Sequence, residues 1–210
     1  MKLVCISDTH GFHEFLTLPD GDILLHAGDI TTYGKMQEVV SFNYWLKKQM
    51  HPHKIVIAGN HDWCFDNEER EISKKALSNA TYLFDSGTEV NGIKFWGTPW
   101  QPWFYDWAFN LRFEEDREKK WGLIPDDTDV LIVHGPPYKY GDLCSNGDNP
   151  GCKKLKERIL ETNIKVVVTG HIHESYGIHD MKGVQVVNAS IMNLQYVPVN
   201  SPIVVEISTK

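Results

Sequence analysis

The sequence has few cysteines, no long apolar run and little positive charge, and each shortage excludes a class of protein. Four cysteines in 210 residues, with no CxxC pair, are too few for a disulfide framework or a thiolate-bound zinc site. No apolar run approaches the ~20 residues that a membrane span needs, so no membrane partner is predicted. The formal net charge of −7 disfavours stable binding to duplex nucleic acid but allows a small anionic substrate.

The cysteines and the first residues bear on the cell compartment. Cys144 and Cys152 flank a loop rich in glycine, asparagine and proline, so one disulfide could form there, but we expect four free thiols. The first apolar segment ends at Ile6, which is too short for a signal peptide. We therefore predict a cytoplasmic protein.

The alternation of strand and helix segments predicts a layered α/β fold. At roughly 150 residues per domain, the length of 210 residues predicts a single domain over residues 1–210. Short runs rich in Val and Ile are expected to be buried strands at 3–6, 23–25, 55–58, 130–133 and 166–168. Helical spacing lies between them at 35–50, 67–78 and 152–161. Hairpins or antiparallel strands are expected at 81–83, 89–96 (turning at Asn91-Gly92), 176–178, 184–187 and 203–207. The sheets are therefore expected to be mixed.

Each of the five predicted buried strands is followed by residues that can bind a metal ion. In chain order these are Asp8 and His10, Asp29, Asn60 with His61 and Asp62, His134, and His171 with His173. Ligands of α/β sheets bind at the carboxyl ends of strands, so we expect these side chains to converge. Oxygen and imidazole donors without thiolates suit Mn, Fe, Zn, Co or Ni.

The donors are too many for one ion. The candidate metal ligands are Asp8, His10, Asp29, Asn60, His134, His171 and His173. Two ions about 3.5–4 Å apart would share a ligand and a bridging water. A carboxylate has two oxygens and a charge that screens repulsion between the ions, so Asp29 is the central candidate for the bridge. Two divalent ions beside two carboxylates leave a positive site, which attracts an anion such as a phosphoryl group.

These motifs also resemble a known family. Asp8-x-His10, Gly28-Asp29, Gly59-Asn60-His61-Asp62, His134 and Gly170-His171-x-His173 resemble, in order and spacing, the calcineurin-like metallophosphoesterases. Segments 97–104, 134–137, 170–174 and 188–190 are similar to the metallophosphoesterase-domain-containing subgroup. Members of that subgroup hydrolyse phosphodiesters, cyclic nucleotides included.

The resemblance implies a fold and a division of the ligands. The fold is a four-layer sandwich, with two mixed β-sheets face to face and helices outside. One ion would bind Asp8, His10, Asp29 and His173, and the other would bind Asp29, Asn60, His134 and His171. Some relatives carry glycine at the position of His171, whereas this chain keeps the histidine, so a complete dinuclear centre is expected. Manganese is the ion expected first, with iron, zinc, cobalt or nickel as alternatives.

The resemblance also implies the catalytic roles. A hydroxide held by the two metals would attack phosphorus, while His61 contacts the phosphate and either protonates the leaving oxygen or stabilises the transition state. General acid catalysis of this kind contributes about 10²–10⁴ in rate. Asp62 either holds His61 in one orientation or caps the segment that follows.

The function that the resemblance implies is hydrolysis of phosphodiester bonds in small substrates, cyclic nucleotides or similar molecules. A phosphomonoesterase or nucleotidase, a nuclease and a protein phosphatase share the same chemistry and stay open. A non-catalytic interaction module would have lost ligands or His61, and all are present here. The aromatic-rich segment 96–107 could stack a nucleobase or wall the pocket, but packing of a long loop is the interpretation we favour.

Overall fold

The computed structural model describes residues 1–67 and 69–208, and two β-sheets form its centre. The first sheet has the order β13-β1-β2-β3-β4, in which β1 to β4 are parallel and β13 is antiparallel to β1. Its strands are β1 (Lys2–Ile6), β2 (Ile23–Ala27), β3 (His53–Ile57), β4 (Thr81–Tyr82) and β13 (Ile203–Glu206).

The second sheet has six strands in the order β11-β12-β10-β9-β6-β5. The four inner strands are parallel, and the two edge strands are antiparallel to their neighbours. The strands are β5 (Ser86–Val90), β6 (Ile93–Thr98), β9 (Val130–Val133), β10 (Val166–Thr169), β11 (Gly177–Met181) and β12 (Val184–Asn188). A separate parallel pair is formed by β7 (Gln101–Pro102) and β8 (Asn110–Leu111).

Helices cover the outer face of each sheet. The helices are α1 (Met36–Lys48), α2 (Arg70–Ala76), α3 (Glu114–Trp121) and α4 (Lys153–Leu160). On α1, Val39, Phe42 and Leu46 recur at helical spacing and pack on the first sheet. On α4, Leu155 and Ile159 are one turn apart and pack with Trp121 of α3 on the second sheet.

The strands alternate between two cores, as the period of two in a strand requires. In β1, Leu3 and Cys5 face the second sheet, whereas Val4 and Ile6 face the α1 layer. Both faces are buried, which explains why these strands appear in the sequence as continuous apolar runs. The expected four-layer sandwich of two mixed sheets between helices is confirmed.

Local predictions had different outcomes. The hairpin turn at Asn91-Gly92 is confirmed: Val90 pairs with Ile93, and the φ angles of the two turn residues are +50° and +79°. All four cysteines are free, as expected. Segment 81–83 was expected to pair antiparallel, which is wrong, because β4 follows a helix and returns parallel to β3. Helix α3 was not predicted, because it buries only Trp121 and has no apolar periodicity.

Within the described ranges, no helix has the length and apolar character needed to span a bilayer.

Candidate metal centre

The candidate site lies where the carboxyl ends of strands from both sheets meet. Ser7, directly after β1, pairs with Ser190, two residues after β12, and so joins the two sheet edges. The Asp8 amide donates to the Gly28 carbonyl across 2.9 Å, and the Gly170 amide donates to the His134 carbonyl across 3.1 Å. These backbone bonds bring the turns after β1, β2, β9 and β10 together at one place.

The side chains of these turns form a buried carboxylate–imidazole cluster. Oδ2 of Asp29 lies 3.7 Å from Nε2 of His10 and 3.4 Å from Nε2 of His134. Oδ1 of Asp8 lies 3.6 Å from Nε2 of His173. Three groups of possible ligand atoms each fall within 4.8 Å: Asp8, His10 and His173; His10, Asp29 and His61; and Asp8, Asp29 and His134. The cluster therefore has the size of a metal centre.

The two remaining predicted ligands lie beside this cluster. Oδ1 of Asn60 is 2.9 Å from Nε2 of His134. The ring of His171 is at the edge, with its centroid 5.1 Å from that of His134, and the His171 amide donates to both carboxylate oxygens of Asp8 at 3.0 and 3.2 Å. The structure thus places all seven predicted ligands together.

Backbone carbonyls fix the orientation of the histidine rings. Nδ1 of His10 donates to the Thr31 carbonyl at 3.2 Å, and Nδ1 of His134 donates to the Ala27 carbonyl at 2.8 Å. Nδ1 of His173 donates to the Asn193 carbonyl at 3.1 Å. Because a carbonyl only accepts, Nδ1 carries a hydrogen and Nε2 is the nitrogen directed at the cluster, as in metal-binding histidines.

One of these nitrogens indicates what kind of ligand the cluster can bind. Nε2 of His10 is buried and has no hydrogen-bond partner among the described residues. This buried basic nitrogen lies next to two buried carboxylates, and a cation bound by the nitrogen and the carboxylates together would explain its lack of a partner. The donor set therefore fits divalent metal ions.

The electrostatics favour ionised carboxylates, whereas the imidazoles differ from one another. Burial alone would raise the pKa of Asp29, but the charge and hydrogen bond of His134 hold that pKa well below its usual range. Burial lowers the pKa of His10 to about 4 and that of His171 to about 3. Burial would also lower the pKa of His134, but the charge of Asp29 raises it to about 9, and Asp8 likewise raises the pKa of His173. Metals are ligated by ionised carboxylates and neutral imidazoles, so a bound cation would displace the Nε2 protons of His134 and His173.

The backbone at the site is held in an uncommon conformation. Asp8, His10, Asp29 and His171 have φ angles of +55°, +42°, +56° and +67°. Non-glycine residues rarely adopt this left-handed region, and such strain collects at functional sites. Four of the seven predicted ligands have this left-handed conformation. The surrounding fold therefore holds their side chains in place despite the strain in the local backbone.

Close approach explains two glycines of the motifs. A Cβ on Gly170 would be 2.1 Å from Oγ of Ser7 and 2.3 Å from Oδ2 of Asp8. A Cβ on Gly59 would be 2.4 Å from Oδ1 of Asp29. Any larger residue at these positions would therefore displace a carboxylate of the cluster.

We expect Gly170→Ala to lower metal retention, because its methyl group would displace the carboxylate of Asp8. Overpacking of this kind costs about 1–3 kcal/mol in the free energy of unfolding. The measurement is metal content after desalting, alongside thermal unfolding. Gly147→Ala is the control, since an alanine is strained at the φ of +90° there but nothing lies within 4 Å of the added Cβ. Full metal content in Gly170→Ala would contradict the expectation.

His61 lies inside the cluster, between backbone anchors and an aromatic wall. Its amide donates to Oδ1 of Asp29 at 2.8 Å, and its Nδ1 donates to the Thr32 carbonyl at 2.9 Å. The imidazole stacks on the indole of Trp107, with the ring centroids 4.1 Å apart and the planes at 28°. The ring is therefore held without help from a carboxylate.

Asp62 has neither of the roles that the sequence left open. Its carboxylate makes no cap for the 3₁₀ turn Trp63–Phe65, and the His61 ring is held by Thr32 instead. It accepts hydrogen bonds from the amides of Ile30, Thr31 and Gly59 at 2.8–3.1 Å. Asp62 thus ties the turn that carries Asp29 to the turn that carries Asn60, and burial raises its pKa to about 6.

Two residues of the site, Tyr196 and Asn193, were not predicted from the sequence. The ring of Tyr196 packs against His10 and His173, both at 5.0 Å between centroids, and its φ is +57°. Asn193, from the same turn, supplies the carbonyl that orients His173. Neither residue follows a buried strand, so the pattern that identified the other residues contains no signal for them.

The fold and this cluster define a metal-dependent phosphoesterase. The model of the calcineurin-like phosphoesterase family matches residues 1–175, and the chain belongs to that family. The chain is 39% identical over 232 residues to human metallophosphoesterase domain-containing protein 1, covering 99% of this chain and 71% of that protein. It is 37% identical over 237 residues to UPF0046 protein T07D4.2 of Caenorhabditis elegans, covering 99% of this chain and 60% of that protein.

A solved structure shows the same architecture. The crystal structure of TT1561 of Thermus thermophilus matches with a TM-score of 0.61 at 16% identity, over 89% of this chain and 88% of that one. At this identity the likeness concerns the fold. The predicted resemblances to the superfamily and to its metallophosphoesterase-domain-containing subgroup are confirmed by the family match and the curated relatives.

Proposed function

We propose that this phosphoesterase hydrolyses phosphodiester bonds of small substrates, cyclic nucleotides or similar molecules, with two transition-metal ions, manganese first among them. The observation that carries the proposal is the set of Nε2 atoms directed at the carboxylates of Asp8 and Asp29. We propose the division of ligands that the family resemblance implies. One ion would bind Asp8, His10, Asp29 and His173, and the other would bind Asp29, Asn60, His134 and His171. Bound divalent ions polarise phosphoryl oxygens and lower the pKa of coordinated water.

The charge of the site supports a diester over a monoester. The ion pairs of Asp8 and Asp29 are all with histidines. Across residues 1–67 and 69–208, no lysine or arginine pairs with either carboxylate. A diester carries one negative charge and a monoester two, so the proposal of a diester rests on this lack of a lysine or arginine paired with the two carboxylates.

The proposed role of His61 is to act on the leaving oxygen. Its Nδ1 is engaged with Thr32, which leaves Nε2 for the substrate, and Trp107 supports one ring face. An imidazole so placed can protonate the leaving oxygen or stabilise the transition state. Asp62 is proposed as a positioning residue, because it holds the turns that carry Asp29 and Asn60.

The test is reconstitution of metal-stripped protein with one ion at a time. We expect no hydrolysis without metal, recovery with Mn²⁺ or another transition metal, and weaker recovery with Mg²⁺ or Ca²⁺, which prefer oxygen ligands. We also expect bis(4-nitrophenyl) phosphate to be hydrolysed with a higher kcat/KM than 4-nitrophenyl phosphate.

Other results would select other functions. Preference for the monoester would indicate a phosphomonoesterase, and inactivity with every ion would indicate a non-catalytic module. A panel of cyclic nucleotides, nucleotides and short oligonucleotides would then identify the substrate class.

A further inference from the structure

We infer that residues 103–107, here called the aromatic loop, bind a flat aromatic group that the phosphoester carries. The inference rests on the proposed function and adds a second subsite to it. The aromatic loop borders a cavity of about 340 Å³ that reaches His171 at the edge of the cluster. Small-molecule pockets begin at about 300 Å³, so the cavity has room for a small ring system.

The lining of the cavity indicates the chemistry of its ligand. Trp103, Phe104 and Tyr105 line it with Pro136 and Pro150, and polar groups come from Cys144, Asn146 and Asp148. Aromatic side chains present faces and edges that pack favourably with another aromatic ring. A flat aromatic group therefore fits this lining better than a short alkyl chain.

The aromatic loop exposes its rings and is nevertheless held rigidly. Trp103, Phe104 and Tyr105 are 50%, 42% and 66% exposed. The Asn110 side chain braces their backbone: its Oδ1 accepts from the Phe104 amide at 2.9 Å, and its Nδ2 donates to the Tyr105 carbonyl at 2.7 Å. Tyr105 has a φ of +47°, which is strained. Adjacent exposed aromatics in a braced, strained loop are typical of a binding surface rather than of core packing.

The two ends of the aromatic loop touch the proposed catalytic machinery. The Phe104 ring meets the His171 ring edge-on, with the centroids 5.1 Å apart. Trp107 stacks on His61, and its carbonyl accepts a second hydrogen bond from Asn110 at 2.9 Å. A phosphoryl group held at the cluster would therefore have its organic substituent beside the aromatic loop.

The experiment compares two phosphonates that differ only in the group under test. Methyl methylphosphonate and methyl phenylphosphonate each carry one negative charge, as a diester does, and are titrated calorimetrically into the full, manganese-loaded chain. We expect the phenyl compound to bind about tenfold more tightly or better, the scale of one ring stacking on an aromatic side chain. Trp103→Leu and Tyr105→Leu keep apolar bulk without the aromatic face, so each should reduce that ratio severalfold while the affinity for the methyl compound is retained.

Tyr44→Ala is the control, because Tyr44 is 60% exposed on α1, and its variant should keep the wild-type ratio. Equal affinity of the two phosphonates in the wild type would overturn the inference and leave the proposed function standing. A phenyl preference that survives both leucine variants would also overturn it. Binding of neither phosphonate to the manganese-loaded chain would instead contradict the proposed function.

Discussion

Replacing Asp29 with asparagine is expected to remove both metal ions and to abolish hydrolysis. The carboxylate lies between the two proposed ligand sets, with Oδ2 3.7 Å from His10 and 3.4 Å from His134. The amide keeps the shape of the side chain but loses the negative charge that screens two cations from each other. Loss of an outer-shell partner already costs about 10–100-fold in metal affinity or activity, and loss of a shared ligand should cost more.

The measurement is metal content per chain after desalting, together with kcat/KM on a phosphodiester. Asp20→Asn is the matched control, since Asp20 is exposed and lies outside the cluster. If the Asp29 variant keeps one ion at full occupancy, this aspartate does not bridge the pair. We expect the Asp29→Asn variant to fold, because its side-chain amide oxygen can still accept the hydrogen bond that the His61 amide donates to Oδ1 of Asp29 at 2.8 Å in the wild type. Thermal unfolding checks that the variant is folded.

Much of the site could be predicted because its residues follow buried parallel strands. Such strands appear as short Val- and Ile-rich runs, and their carboxyl ends meet at one edge, so Asp8, Asp29 and His134 could be placed together from sequence. The hairpin at Asn91-Gly92 could also be predicted from its own residues, because both tolerate the positive φ that the turn requires.

The rest of the site depends on contacts that are not local in sequence. Asp62 accepts hydrogen bonds from residues 31 and 32 positions earlier, so its neighbours along the chain do not reveal its role. Tyr196 reaches His10 from a turn near the other end of the chain. The parallel pairing of β4 likewise follows from the return of the chain through α2, which the pattern of residues 81–83 does not show.

His61→Ala is expected to lower turnover by about 10²–10⁴-fold while both metal ions remain bound. The reason is that Nδ1 is committed to the Thr32 carbonyl, and the proposed ligand sets are complete without this imidazole. His61 nevertheless groups with His10 and Asp29 within 4.8 Å, so ligation is the competing role. Metal content of the variant separates the two, and His53→Ala, an exposed histidine at the start of β3, is the control. Loss of an ion would show that His61 is a ligand.

The leaving group then distinguishes the two catalytic roles that stay open for His61. A 4-nitrophenolate leaves without protonation, whereas an alkoxide needs a proton in the transition state. If His61 is the general acid, the His61→Ala change should slow hydrolysis of a phosphodiester with an alkyl leaving group far more than hydrolysis of one with a 4-nitrophenyl leaving group. An equal loss on both esters, with both ions retained, would assign the imidazole to stabilising charge on the phosphoryl oxygens. In that case the stacking of His61 on Trp107 would serve to fix a hydrogen-bond donor rather than a proton donor.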